Sequence, residues 1–213
     1  MKDTLNILLS TAYFGPIQYY ARFIQDKSVI IEKFEHYSKQ SYRNRCLIMG
    51  ANGIQSLVVP VKRPNGNKTL MKDVRVDYDM NWQKNHLKSI ESSYKNAAFY
   101  EFYSDEFRSV LTKKFEFLID LNMEITHIAL NHLDHEINIE FSDHFIEIHE
   151  GFPDFRDSIH PKKSLILDKQ FTAPEYIQAF SENLGFIPNL SILDLIFNTG
   201  PEALSILKNS ILE

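Results

Sequence analysis

The sequence predicts an α/β fold: a single domain over residues 1–213, with a mixed sheet that starts from a βαβ-like unit and several helices in the second half. An α+β arrangement is the alternative. Three observations carry the expectation. The chain opens strand-like, helix-like and strand-like in close succession, the outline of a βαβ unit. A hairpin signature follows near residue 50. From Asn81 the apolar spacing changes from the strand period to the helical one.

Taken in order, residues 5–10 (LNILLS) are a continuous apolar run, as in a strand covered on both faces. Gly15-Pro16 breaks the run, and proline suits the start of a helix over residues 17–26. The β-branched residues 28–34 read as a second strand, which a right-handed crossover sets parallel to the first. Residues 46–49 and 54–61 flank Gly50-Ala51-Asn52-Gly53, a hairpin with its turn residues in place. Residues 62–69 (KRPNGNKT) read as an exposed basic loop. Val74, Val76 and Tyr78 alternate in a strand over residues 73–78.

Trp82, Leu87, Ile90 and Tyr94 are spaced as one helix face, and residues 99–114 and 115–133 continue as helices. Residues 136–141 (EINIEF) alternate as a strand. A loop over residues 150–161 is punctuated by Gly151-Phe152-Pro153. Helices over residues 174–183, 192–197 and 201–207 complete the reading.

Composition narrows the function classes. At 44% apolar and 24% charged residues the chain is that of an ordinary globular protein, which excludes intrinsic disorder. One cysteine excludes a disulfide framework and multi-cysteine metal sites. No run approaches the ~20 apolar residues of a membrane span. The first apolar run follows Asp3 and meets Gly15-Pro16 without a small-residue cleavage site, so it reads as a strand and not a signal peptide. A cytoplasmic location is the expectation. The net charge of −5 divides unevenly: residues 1–100 hold 15 Lys and Arg against 8 Asp and Glu, and residues 101–213 hold 8 against 20. An excess of cations at one end hints at an anionic partner. A pI near 5.9 disfavours nucleic acid.

Three patches carry chemistry. The segment Tyr37-Ser38-Lys39-Gln40-Ser41-Tyr42-Arg43-Asn44-Arg45 follows a predicted strand, where α/β sheets bind ligands. Its Arg and Lys suit a phosphate or carboxylate, and its tyrosines can stack on a ring. The structural alternative is a solvated loop whose arginines pair with acids of the other half. The segment from Trp82 to Ser89 opens a helix on which Trp82, His86 and Ser89 share a face, with Lys84 and Lys88 on another. A histidine near a helix start is held neutral and can accept a proton. Alternatively Trp82 is core, the lysines are solvated and His86 is a satisfied rim residue.

The third patch is Ser10-Thr11-Ala12-Tyr13-Phe14-Gly15-Pro16, at a helix start able to cradle an anion. It is faintly similar to the strand–loop–helix of nucleotidylyltransferases, but Ile17-Gln18-Tyr19-Tyr20 lacks their HxGH-type histidines. Five histidines, His127, His132, His135, His144 and His149, crowd into 23 residues without the convergent spacing of a zinc site, so no metal site is expected. Ser41, Ser89 and Cys46 lack a nucleophile motif, and Cys46 reads as core. Asp194 and Asn198 share a helix face and would buttress the basic loop.

The patches occur together in an order that resembles the WbqC-like family. The match runs through Tyr13-Phe14-Gly15-Pro16 with Tyr19-Tyr20, residues 37–45 and Leu57-Val58-Val59-Pro60-Val61. It continues through Trp82-Gln83-Lys84-Asn85-His86 with Tyr94, and ends in the segment from Leu190 to Pro201. The family often carries Trp near the first loop, where this chain has Tyr13, Phe14, Tyr19 and Tyr20. The resemblance implies a link to O-antigen and other surface-polysaccharide clusters, and a glycine-transferase role suggested for one branch. It supplies no cofactor and no catalytic residue set, so the cofactor stays unknown.

Together these features favour a transferase acting on an activated anionic small molecule. Lys39, Arg43 and Arg45 would hold its phosphate or carboxylate, with Lys84 nearby. His86 would be the general base, Asn44 an oxyanion donor, and Tyr13 or Tyr42 a stacking surface. The alternative is a non-catalytic binding module for a nucleotide-sugar or other anionic ligand.

Overall fold

The computed structural model describes residues 6–25, 28–147 and 153–212. Asp3, Leu5, Asp26, His149 and residues 150–152, used above, lie outside them. β1 (Ile7–Leu9) is buried throughout, because three consecutive apolar side chains leave neither face for water. The chain turns at Gly15-Pro16 into α1 (Ile17–Gln25), and β2 (Ser28–Ile31) returns parallel to β1, with Ile7 opposite Val29 and Leu9 opposite Ile31. The expected βαβ unit is present.

The first turn of α1 is capped from far along the sequence. The Gln18 N–H donates to Asn189 Oδ1 at 2.8 Å, and the Ile17 N–H to the Leu190 carbonyl at 3.0 Å. These amides are therefore occupied by protein acceptors and offer no anion cradle.

The hairpin forms as expected from β3 (Arg45–Gly50) and β4 (Gly53–Val58), with Arg45 opposite Val58. A shorter antiparallel pair joins β5 (Val61–Lys62) to β6 (Arg75–Val76). The helical period from Asn81 yields α2 (Trp82–Tyr94), α3 (Tyr100–Thr112) and α4 (Leu118–His132). α2 packs on β3 and α3, and α3 packs on α4. β7 (Asn138–Phe141) then pairs parallel with the outer side of β2. The order is β1-β2-β7, and residues 153–155 extend it past β1. There the Leu8 N–H meets the Pro153 carbonyl and the Phe155 N–H meets the Leu8 carbonyl, each at 2.9 Å. The class is α/β as predicted, with the antiparallel pairs in two-stranded sheets of their own.

Three helices close the chain: α5 (Ser181–Leu184), α6 (Ile192–Thr199) and α7 (Ala203–Asn209). The helix expected over residues 174–183 is corrected to α5 alone. Upstream, tertiary bonds replace a helical ladder: the Ala179 N–H donates to Asn198 Oδ1 at 3.0 Å, and Gln178 Nε2 donates to Asp194 Oδ2 at 2.8 Å. The Gln178 side chain also bonds the Ile187 backbone as donor and acceptor. Asp194 and Asn198 do share a face of α6, but they hold this segment and not the basic loop. Burial raises the Asp194 carboxyl, against hydrogen bonds from Tyr176 and Gln178.

α6 ends at Gly200, whose φ of +51° is left-handed, and a Cβ there would stand 2.5 Å from the Phe99 ring. Gly66 has a similar φ of +57° with open space around it. Gly200→Ala should therefore destabilise by roughly 3 kcal/mol, backbone strain plus overpacking, and Gly66→Ala by only ~1 kcal/mol. Urea unfolding of the two variants checks the difference.

Candidate functional site

Ligands of open parallel sheets sit beyond the carboxyl ends of the strands. Here β1 runs out into Ser10 and Thr11, and β2 into Glu32 and onward to Glu35. A single 3-10 turn, Tyr42–Asn44, brings Arg43 back over both ends; Ser41 caps it by accepting the Arg43 N–H. Arg43 is 3% exposed and grips Glu35 with two parallel bonds, Nε to Oε1 at 2.8 Å and Nη2 to Oε2 at 2.5 Å. The same Nη2 reaches Ser10 Oγ at 2.6 Å and the Arg156 carbonyl at 3.4 Å. Nη1 has no hydrogen-bond partner among the described residues.

A second charged pair lies alongside. Arg156 donates from Nη2 to Asp154 at 2.7 Å and from Nη1 to Glu32 at 3.2 Å. Glu32 is wholly buried and also accepts from the Ser142 hydroxyl and from the backbone N–H groups of Phe34 and Ile146. Arg43 and Arg156 both line a cavity of about 280 Å³, together with Glu35, Ser38, Asp154 and Asp157. They also line a narrow inner cavity of about 10 Å³, shared with Thr11, Tyr19 and Tyr42. The hydroxyls of Thr11 and Tyr19 are buried there without a hydrogen-bond partner among the described residues. Burial raises the Glu35 carboxyl even though bonds from Arg43 and Ser10 act in the other direction.

Of the residues the sequence singled out, Tyr42 and Arg43 stand together at this cleft. Burial pushes the Tyr42 hydroxyl up to about 12. Arg43 is not an open cation: Glu35 of its own half neutralises it, with Asp157 of the other half 4.0 Å away. Lys39 and Lys84 are exposed, and Arg45 is half-buried with its Nε unpartnered among the described residues. Asn44 is not a free oxyanion donor, since its Nδ2 donates to the Val59 carbonyl at 2.8 Å.

Tyr13 and His86 form a separate pair inside the core. Tyr13 is 0% exposed, which leaves no ring face for a ligand, and its hydroxyl meets His86 Nδ1 at 2.8 Å. The Val58 backbone lies close enough to favour the protonated ring slightly, and the direction of the Tyr13–His86 bond follows the imidazole tautomer. Burial, and not its place on the helix, lowers His86 to about 4. It lies in the core, 5% exposed and bonded to Tyr13, and not at the rim.

The sequence reading passed over Glu35, Glu32 and Arg156, and from the patch containing Ser10 and Thr11 it kept only Tyr13 as a site residue. A usable signal was present: acids and hydroxyls directly after both parallel strands. The histidines scatter. His132 packs on Tyr103 and Phe107, His135 Nε2 meets the Phe23 carbonyl at 2.9 Å, and His144 pairs with Asp143. Among the described residues no group of three or more His, Cys, Asp or Glu could hold a metal ion, and no helix is long and apolar enough to cross a membrane. Cys46 is buried core, its thiol raised by burial.

Fold and cleft define an α/β protein with a charge-paired cleft at the carboxyl edge of a parallel sheet. The model of the WbqC-like protein family matches residues 11–154 and 163–206, and the chain belongs to that family. Comparison with curated proteins and with solved structures returned no match.

Two stability measurements follow. The unfolded chain protonates His86 near pH 6.5 and the folded chain only near 4. The histidine's contribution is therefore complete above pH 6.5 and is lost as pH falls toward 4, by up to ~1.4 kcal/mol per unit. His86→Gln should flatten that part of the acid slope in denaturant titrations. Glu35→Ala, which leaves the Arg43 charge buried and unpaired, should destabilise by about 3–5 kcal/mol, and adding Arg43→Met should recover much of the loss.

Proposed function

We propose that the chain, as one domain over residues 1–213, is a cytoplasmic transferase of the acyl or aminoacyl type. It acts on a small anionic substrate in bacterial surface-polysaccharide assembly, glycine transfer being the role suggested for one branch of the family. Family membership supports the polysaccharide link through the resemblance described above. A single continuous cluster of buried residues, running from Ile7 to Leu207, supports one domain. The one cysteine, buried and unpaired, suits a reducing compartment.

The observation that carries the location is the buried Arg43–Glu35–Ser10 set at the ends of β1 and β2, of which Arg43 and Glu35 line a cavity of about 280 Å³. In this reading the base moves from His86 to Glu35. Glu35 has a carboxyl raised by burial and lines the cavity, whereas His86 lies in the core beside Tyr13, away from that lining. An attacking amine or hydroxyl would give its proton to Glu35 as it bonds the acyl carbon, and the leaving group would depart with the former acyl bond. Arg43 orients Glu35 and supplies positive charge beside it, while Lys39, Arg45 and Lys84 contribute at most at the periphery.

The test uses acetyl-coenzyme A and glycyl thioesters as donors with nucleotide-linked amino sugars as acceptors, following thiol release by purified full-length chain. Glu35→Gln should lower turnover by about 100-fold or more, the worth of a general base, and His86→Gln should leave it within a few-fold. Turnover lost in His86→Gln at full folding, and kept in Glu35→Gln, would overturn the base assignment. Thermal stabilisation by these compounds without turnover would replace the enzyme with the binding-module reading.

A further inference from the structure

The inner end of the cleft holds hydrogen-bond donors that the protein itself does not use. Thr11 is 1% exposed and Tyr19 2% exposed, and neither hydroxyl has a partner among the described residues. Buried hydroxyls are ordinarily satisfied, and these two belong to residues that line one cavity, where a ligand atom would meet both. Arg43 lines the same cavity, and its Nη1 is the one nitrogen of the guanidinium without a hydrogen bond among the described residues. Ser10 Oγ, which also lines the cavity, already lies between Arg43 and Glu35, and Tyr42 and Arg156 complete the polar lining.

Size and charge define what would complete the set. A cavity of about 10 Å³ admits one atom of oxygen size, not a phosphoryl group with its tetrahedral oxygens. The guanidinium N–H can only donate and the two hydroxyls can donate beside it, so the set suits an acceptor. Glu32, Glu35, Asp154 and Asp157 surround Arg43 and Arg156, an excess of carboxylates that disfavours a dianion. We infer that the inner cavity is a recognition subsite for a single acyl oxygen of the substrate, bound by the hydroxyls of Thr11 and Tyr19 and by Nη1 of Arg43. The inference rests on the reading that this cleft is the site, and it names the substrate class as acyl compounds able to insert a carbonyl or carboxylate oxygen end-on.

Three features make the assignment specific. Thr11 sits two residues beyond β1, at the carboxyl edge of the sheet, so the rigid strand positions its hydroxyl. Tyr19 is fixed on α1, with its ring against Gly15, where a Cβ would come within 2.6 Å. Tyr42, whose ring also lines the cavity, closes a third side.

Acetate and acetamide, which share a shape and differ in charge, are the probes, with inorganic phosphate as the oversized control. Binding to the full-length chain is read by saturation-transfer NMR in wild type, Thr11→Val, Thr11→Ser and Tyr19→Phe. Thr11→Val and Tyr19→Phe should each weaken acetate binding by about tenfold, the loss of one hydrogen bond to a charged acceptor, while Thr11→Ser keeps wild-type binding. Acetate bound more tightly than acetamide assigns the subsite to a carboxylate, and equal binding assigns it to a neutral acyl group. Thermal unfolding separates recognition from folding, because removing an unpaired hydroxyl should leave stability unchanged or raised.

Acetate binding that is absent, or identical in wild type and both variants, would overturn the subsite, and the cavity would then hold water alone. The outcome is separable from that of the transferase reading. Hydroxyl-dependent acetate binding without any turnover keeps the subsite and removes the enzyme. Glu35-dependent turnover with unchanged acetate binding in both variants keeps the enzyme and removes the subsite.

Discussion

The guanidinium of Arg43 ties together pieces of chain from three places in the sequence. It holds Glu35 beyond β2, Ser10 beyond β1 and the backbone of Arg156 across the sheet edge. The Arg43 carbonyl accepts from Asn122 on α4 at 2.8 Å, which fixes the same residue from behind. Burying a cation and a carboxylate carries a desolvation cost that their attraction only offsets when geometry and extra hydrogen bonds are good. Both conditions are met here, since Glu35 is gripped by two parallel bonds and Ser10 adds a third partner. The result is a polar edge held by its own hydrogen bonds.

That constraint also sorts neighbouring aromatics. The Tyr13 N–H donates to the Tyr42 carbonyl at 2.9 Å, so the two backbones touch while the side chains part. Tyr13 goes inward to His86 and Trp82, and Tyr42 goes to the cleft. Residues that look equivalent as ring-bearing members of one motif thus do different work. The inward set supplies packing and a buried imidazole, and the cleft set supplies surface.

Much of the fold was legible because its periods are clean. The apolar run in β1, the glycines around Ala51-Asn52 and the helical spacing from Trp82 each have one natural solution. Residues 174–180 misread because their apolar spacing mimics a helix, while Asp194 and Asn198 on α6 take the polar groups a helix would need. The cleft was half legible. A run of cations after a strand marked the right place at Arg43, but compensation by Glu35 and the arrival of Arg156 depend on how the strands align. Residue type alone could not tell an available cation from a paired one. His86 shows the reverse, a residue whose type invites catalysis and whose partners make it structural.

The capping of α1 by the distant segment at Asn189 and Leu190 has a consequence for how the chain acquires its structure. Gln18 and Asn189 are 171 positions apart, and Ser191 closes the same junction by donating to the Phe14 carbonyl. Contacts of such separation form slowly, because a long loop must close before they are rewarded. The first helix therefore has its N-terminal amides open during synthesis until the α6 region has left the ribosome. The native junction, and with it the packing of α1 against α6 and α7, is thus a late event in folding.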